Sequence, residues 1–529
     1  MAEFLGFDVG TTSIKVSRSI IGQSKVESIS FSDGQYSFPV YYCFSTRNGS
    51  QKFGNDAKNH IGKPNLFTVV SEVKRLIGKR FDDEESQKEI KRLNIPAKKL
   101  ENGMIGIVFK SKSNETVLTP LDIYEKILKE IISYLETLQI KHENAVVTVP
   151  NDFADVERNL LKELFLKNLG FQRVIIMNEP SAAGLNIISN GHKLGNYAIF
   201  DYGGGTLDLS IVKYGKDEKD NWIYEPLKHS GLRNNGGSDI DTILMDHVLE
   251  HLEQEGEEIT EQLYKYYSDD KNKQKLKMMC EKCKMDLTDK KEAVIPFSGK
   301  IKNEDGEEEE MEYPFTIYRE TFDTICKGIF ENAVNELLKM INEYKQDYNE
   351  PLKGIIMVGG TSLIPKIREM IHEKTGLKPI ADKDSMLAVS KGSAFRGSSE
   401  NLNFKTETST YSVSMLAKHK LGFPHAKLLI KKNTQLPKTL TLEDAAISVD
   451  GQKETTIELY KNCEGSFSQN LSLGKYICDF PEGCKKGDRV HTTITMNIEN
   501  IVEFTFSFVD LPIKETRSIT IDLGKKGEN

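Results

Sequence analysis

Through roughly the first 395 residues, short aliphatic runs bounded by Gly, Asn or Asp alternate with longer runs whose apolar residues recur every three or four positions. This alternation predicts strands and amphipathic helices in an α/β arrangement. The middle of the chain shows it best. AVVTVP (Ala145 to Pro150) is apolar enough for a buried strand, and ADVERNLLKELFLKNLG places Leu160, Leu161, Leu164 and Phe165 on one helical face before RVIIM supplies the next strand. Together these make a βαβ unit. NEPSAAGLNII begins a further helix, and YAIFDYGGGTLDLSIVKY reads as two strands joined by a glycine turn. GIIMVGG is a strand, followed by a helix over TSLIPKIREMIHEKTG.

The opening of the chain repeats the grammar of the middle. FDVGTTSIK, from Phe7, and FDYGGGTLD, from Phe200 to Asp208, are each a strand ending in Phe-Asp, a tight turn and a second strand. The repetition predicts two related halves, each contributing one hairpin turn, with a cleft between them. After about Arg396 the pattern changes. SSENLNFKTETSTYS is polar and linker-like, and beyond it apolar Val502, Phe504, Phe506 and Phe508 alternate with polar Glu503, Thr505 and Ser507. The expected organisation is therefore an α/β domain over 1–396, a linker over 397–411 and an antiparallel all-β sandwich over 412–529.

Composition narrows the classes. At 38% hydrophobic the chain can bury a core, and it contains no apolar run long enough to span a bilayer. The start, MAEFLGFDVG, runs straight into a strand, so a cytosolic location is expected. Seven cysteines without framework spacing fit reduced thiols; the Cys280/Cys283 pair lies in the helical stretch QKLKMMCEKCKMDL with no second ligand pair, which favours packing over metal. The net charge is -8 and no basic stripe interleaves with aromatics, which argues against nucleic acid as a partner. The acidic run NEDGEEEEMEY, Asn303 to Tyr313, reads as a solvated hairpin tip.

The repeated turns suggest phosphate chemistry. Three consecutive glycines, Gly203, Gly204 and Gly205, let backbone approach a ligand closely and aim amides into one concavity. Thr206 adds a hydroxyl, and Asp201 and Asp208 bracket the turn; the first copy adds Asp8 with Gly10, Thr11 and Thr12. The Asp201 and Asp208 carboxylates would repel a bare phosphate chain, so the arrangement requires a hard cation between them, as Mg²⁺ bound largely through water would be. A single such turn is as readily a plain hairpin; two copies on similar strands favour phosphate. Neither GxxxxGK[ST] nor a helix-opening GxGxxG is present.

With FDVGTT, VKRLIGKRFDD, AVVTVPNDFADVER, IIMNEPSAAG, IFDYGGGTLD, NNGGSDID and IIMVGGTSLIPKI in that order, the chain resembles the heat shock protein 70 chaperones of the actin-like ATPase superfamily. The resemblance implies an ATP-dependent chaperone that hydrolyses ATP to ADP and phosphate, with ATP and Mg²⁺ as cofactors and extended polypeptides as clients. J-domain proteins and nucleotide exchange factors are implied partners. By motif, Lys74 would reach the γ-phosphate and orient the attacking water, and Asp8, Glu179 and Asp201 would organise Mg²⁺ and that water. Asp208 would support the metal and the general base, and Thr206 would touch the γ-phosphate. Gly236, Gly237, Gly359 and Gly360 would line the nucleotide, with Glu281, Lys284 and Thr288 at the adenosine. Pro150 and Arg158 match a proline switch and its arginine relay.

The chain also departs from the family pattern. Met285 and Leu363 stand where the family has arginines against the adenosine, which removes contacts of roughly 0.5–2 kcal/mol each. The linker is polar, with only Leu402 and Phe404 as apolar anchors, so weakened docking is expected; after RSITIDLG no helical lid is expected. An ATP-binding co-chaperone or scaffold with little hydrolysis is the alternative, and a small-molecule kinase a weaker one.

Overall fold

The computed structural model describes residues 3–522 other than 22–24, 113, 152, 154, 190, 192, 218–221, 303–307, 382–384, 400, 401, 405–408, 410, 411, 419–423, 463–471, 497–500 and 512–514. The chain divides into two compact units. The first comprises Met1–Asn151, Lys162–Ser210 and Ser230–Glu400; the second comprises Asp152–Leu161, Ile211–His229 and Asn401–Asn529.

Two sheets organise the α/β part. The first runs Arg173–Asn178, Asn144–Val149, Glu3–Val9, Ser13–Ile20 and Val26–Ser28. Its first three strands are parallel, and Ser13–Ile20 turns back antiparallel on Glu3–Val9. The second runs Pro379–Ala381, Leu352–Val358, Gly195–Tyr202, Thr206–Lys216, Trp222–Arg233 and Leu402–Phe404. Here too parallel strands lead up to a strand that opens a tight hairpin. In both, the hairpin-opening strand is buried almost throughout, as near-continuous apolar runs require when helices cover both faces.

Several predicted elements form with shifted details. The helix begins at Asp155–Glu163 and continues as a π-helical turn over Leu164–Asn168; Leu161, Leu164 and Phe165 are buried while Leu160 is half-buried. After Leu352–Val358 the chain makes a 3₁₀ turn, Thr361–Leu363, and the α-helix starts only at Pro365. Proline fits the first helical position because its missing N–H has no partner there in any case. Glu292–Lys302 and Glu308–Tyr318 pair as a hairpin, and residues 303–307, the expected acidic tip, lie outside the described residues. Cys280 and Cys283 are buried free thiols, and among the described residues no helix is long and apolar enough to cross a membrane.

In the second unit two antiparallel four-stranded sheets run Pro424–Ile430, Val413–Lys418, Glu454–Lys461, Ser472–Asp479 and Lys438–Ala446, Arg489–Met496, Ile501–Phe508, Thr516–Asp522. Val413, Leu459, Ile494, Phe504 and Ile521 share one buried core, and Val502, Phe504, Phe506 and Phe508 all point into it as their alternation predicts. Of the expected linker, residues 400, 401, 405–408, 410 and 411 lie outside the described residues. Its Leu402–Phe404 pairs in parallel with Trp222–Tyr224, and the Phe404 ring stacks on Tyr224 at 5.4 Å. Polar composition does not prevent this pairing, because ladder hydrogen bonds come from backbone.

Candidate active site

The two hairpin turns face each other inside the first unit. A Cβ added at Gly204 would collide with Thr12, and one added at Gly205 with Thr11, so the glycine turn lies directly on the threonine turn. Only glycine permits that approach. The Gly203 N–H donates to Thr206 O at 3.1 Å, closing the turn. The N-terminus of the Gly237–Glu255 helix then seats on it: Gly237 N–H donates to Gly203 O at 3.0 Å and Ser238 N–H to Gly204 O at 2.8 Å. From a third direction Thr361 Oγ1 donates to Gly203 O at 2.8 Å. Gly359, at φ 79°, leaves no room for a side chain against the Tyr202 backbone.

Charge concentrates around these turns. Asp8 and Lys15 are opposite in the hairpin register, and Lys15 Nζ donates to Asp8 Oδ2 at 2.8 Å. Lys74, in the 3₁₀ turn Val73–Leu76, is 2% exposed and donates to Glu179 Oε1 at 2.8 Å. Asp208 accepts at Oδ1 from the Asn151 N–H and at Oδ2 from the Thr206 hydroxyl, both at 2.7 Å. Burial, aided by the charges of Glu179, Asp208 and Asp8, pushes the Asp201 carboxyl well above the usual carboxylate range. Burial also raises Glu179, against the pull of Lys74. Among the described residues no three His, Cys, Asp or Glu side chains converge as direct chelators. Carboxylate oxygens are the donors a hard cation takes, so Asp8 and Asp201 would suit Mg²⁺ bound largely through its own water.

Next to Lys74, two residues without an assigned role bind the same region. Arg75 donates to Asp239 Oδ2 and Gly205 O, each at 3.0 Å, and to Asn234 Oδ1 at 2.7 Å. Glu72, in a left-handed conformation at φ 57°, accepts from Arg92 at 2.9 Å, from Lys277 at 2.8 Å and from the Ser238 hydroxyl at 2.6 Å. Although burial opposes it, the charges of Lys277, Arg92 and Arg75 hold Glu72 well below its ordinary value. A cavity of about 50 Å³ lies among Thr12, Tyr41, Glu72, Ser238, Asp241 and Lys277.

At the expected adenosine end, Lys284 donates to Gly237 O at 2.8 Å and pairs with Asp241 at 2.7 Å. Burial raises Asp241 to about 6 despite that lysine. Glu281 pairs with Lys58 at 2.9 Å. Thr288 bonds back to Lys284 O of its own helix at 3.3 Å, and Met285 is 64% exposed. The structure thus gathers Asp8, Thr11, Thr12, Gly203, Gly204, Gly205, Thr206, Asp208, Gly236, Gly237 and Lys284 around the facing turns, and joins Lys74 to Glu179. Arg158 Nε donates to Phe153 O at 2.9 Å. Sequence reasoning missed Lys15, Glu72, Arg75, Asn151 and Lys277. For Lys15 a signal existed, because a turn centred between positions 8 and 15 puts the two residues face to face.

The family model described as Hsp70 protein matches residues 4–528. The heat shock 70 kDa protein of Neurospora crassa is 27% identical over 98% of this chain and 78% of its own. The heat shock cognate 70 kDa protein 3 of Dictyostelium discoideum is 26% identical over 98% of this chain and 80% of its own. The mitochondrial heat shock 70 kDa protein of Solanum tuberosum is 28% identical, with 98% and 72% covered.

Proposed function

The chain belongs to the Hsp70 family and is an ATP-dependent chaperone, and we propose that its ATP chemistry is carried by Lys74, Glu179, Asp8, Asp201, Asp208 and Thr206. The observation that carries this reading is the buried Lys74–Glu179 pair at 2.8 Å. A buried lysine needs a paired charge, which Glu179 supplies, and Arg75 beside it in sequence bonds the Gly205 carbonyl of the glycine turn. When bound, Mg²⁺ neutralises phosphate charge. The residues supply the rest: Lys74 lies against the terminal phosphate, Glu179 aims Lys74, and Thr206 orients the attacking water or the phosphate oxygen. Asp208, fixed through the Asn151 N–H, accepts a hydrogen bond from the Thr206 hydroxyl and holds it in place. Rate enhancement comes from positioning and fixed charge.

The finer architecture is part of the proposal. Two sheets of the same order, each opening a phosphate turn, support a duplicated actin-like ATPase domain over 1–396. One core shared by two antiparallel sheets supports a β-sandwich over 412–529 that takes extended apolar segments of unfolded clients, with 397–411 as linker. J-domain proteins, exchange factors and a cytosolic location remain part of this reading. The nucleotide-sensing scaffold and the small-molecule kinase are less favoured, because the matching family and the relatives named are heat shock proteins. ATP turnover measured with and without an unfolded peptide tests the proposal. Mg²⁺-dependent turnover stimulated by peptide is expected, and turnover absent in wild type or unaltered in Lys74→Ala would refute the assignment.

A further inference from the structure

The helix Gly237–Glu255 carries His247, His251 and Glu255 at successive four-residue steps. That spacing puts all three on one face, with about 5–6 Å between successive Cβ atoms. None of them has a part in the proposed ATP chemistry. His251 is oriented by packing. Its ring centroid lies 4.6 Å from that of Phe315 on the strand Glu308–Tyr318, and its Nε2 stands 3.3 Å from both Tyr313 Oη and Glu255 Oε1. A charge-assisted bond between imidazolium and carboxylate settles at about 2.7–2.9 Å. The wider gap matches the edge of a coordination tetrahedron, because ligand atoms about 2.0–2.1 Å from Zn²⁺ stand about 3.3–3.4 Å from one another. The surroundings are acidic: burial and the charges of Glu255 and Glu257 push the Tyr313 phenol up. His247 is half-buried one turn earlier, and burial lowers it against the pull of Glu250, which favours the neutral ring that binds metal. Among the described residues three such side chains do not converge on one point, so His247 joins the other two by rotating about its side-chain bonds. Two imidazoles and one carboxylate are the donors of a His₂Glu zinc site, whereas Mg²⁺ and Ca²⁺ take oxygen.

We propose that His251 Nε2, Glu255 Oε1 and the His247 imidazole form a binding site for a divalent transition metal of the Zn²⁺ class, with a fourth position open to water. The ion joins the last turns of the helix into one unit beside the strand that carries Tyr313. The site is independent of the ATP reading, so either can fail without the other. Calorimetric titration of the whole nucleotide-free chain with ZnCl₂, in excess MgCl₂, tests it for wild type, His247→Ala, His251→Ala and Glu255→Gln. One Zn²⁺ per chain is expected in wild type, undisturbed by Mg²⁺. His251→Ala should weaken it by about 100-fold or more and the other two by about tenfold or more, since even an outer hydrogen-bond partner of a ligand is worth about 10–100-fold. Co²⁺ in place of Zn²⁺ should give the visible absorption of a tetrahedral site without thiolate charge transfer. Absence of Zn²⁺ binding by wild type, or wild-type affinity in His251→Ala, overturns the proposal. Thiolate absorption by Co²⁺ also overturns it, because the metal would then sit on cysteine. If His251→Ala fails to fold for want of its contact with Phe315, the exposed Glu255→Gln decides, and wild-type affinity there refutes the site.

Discussion

Lys74 and Glu179, 105 positions apart in sequence, meet through one hydrogen bond of 2.8 Å with both side chains buried. Removing the lysine deletes the cation assigned to the reacting phosphate and leaves Glu179 without that partner. Lys74→Ala should lower single-turnover ATP hydrolysis by about 10²–10³-fold, as loss of a preorganised charge stabiliser does, with nucleotide affinity much less affected. Rapid-quench turnover beside equilibrium binding separates the two effects.

Asp201 is held neutral-prone by burial and by Glu179, Asp208 and Asp8, so its folded value stands well above the ordinary 3.8. A carboxyl raised on folding contributes stability that is present below its unfolded value and lost as pH rises through the folded one. At neutral pH its charge is therefore a cost. Asp201→Asn should raise the melting temperature of the nucleotide-free protein by about 1 °C for each kcal/mol relieved, and abolish Mg²⁺-dependent turnover. A melting temperature that falls instead would contradict the crowding of charge.

Glu72 has the opposite sign. Its folded value lies well below the ordinary 4.5, so its stabilisation is present above about that pH and lost as pH falls through the lowered value. Glu72→Gln should destabilise the protein at pH 7 by about 3–5 kcal/mol, because Arg92 and Lys277 lose a buried partner. The gap between variant and wild type should narrow in acid, which thermal melts from neutral to low pH would reveal.

At the adenosine end, Leu363 is half-buried in the Thr361–Leu363 turn and Met285 is exposed, so neither offers a guanidinium to a base. Leu363→Arg should tighten ATP by about 2- to 30-fold if a cation–π contact of about 0.5–2 kcal/mol forms. Competition with GTP would show whether the gain is specific to adenine.

Phe404 stacked on Tyr224 anchors the linker strand by its one described aromatic ring. Phe404→Ala should leave basal ATP turnover unchanged and reduce its stimulation by peptide to about half or less, since an aromatic pair contributes about 0.5–1.5 kcal/mol beyond its buried area. Unchanged stimulation would remove the linker strand from the coupling.

Elements whose signal is periodic were legible from residues alone. The strand over Val502 to Phe508, the buried strand Asn144–Val149 and the two turns at Gly10 and Gly203 stand where patterning puts them. Boundaries set by chain geometry were less so: Leu164–Asn168 is a π-helical turn rather than a plain α-helix, and the helix after Leu352–Val358 waits for Pro365. The site shows the same division. Asp8, Thr206 and Asp208 carry local motif signals, whereas Glu72, Arg75, Asn151 and Lys277 have none, because what makes them matter is the groups they meet from distant segments.

The sequence by itself determined the α/β alternation, the paired phosphate-type turns and the change to an all-β pattern after Arg396, since each depends on spacing within a few residues. Only the tertiary structure decided that Thr11 and Thr12 lie against Gly205 and Gly204, that Lys74 reaches Glu179, and that Lys15 enters a cluster of carboxylates. The reason is physical: the charge state and reach of a side chain are set by burial and by partners across the fold, and those are fixed only when the sheets and helices have packed.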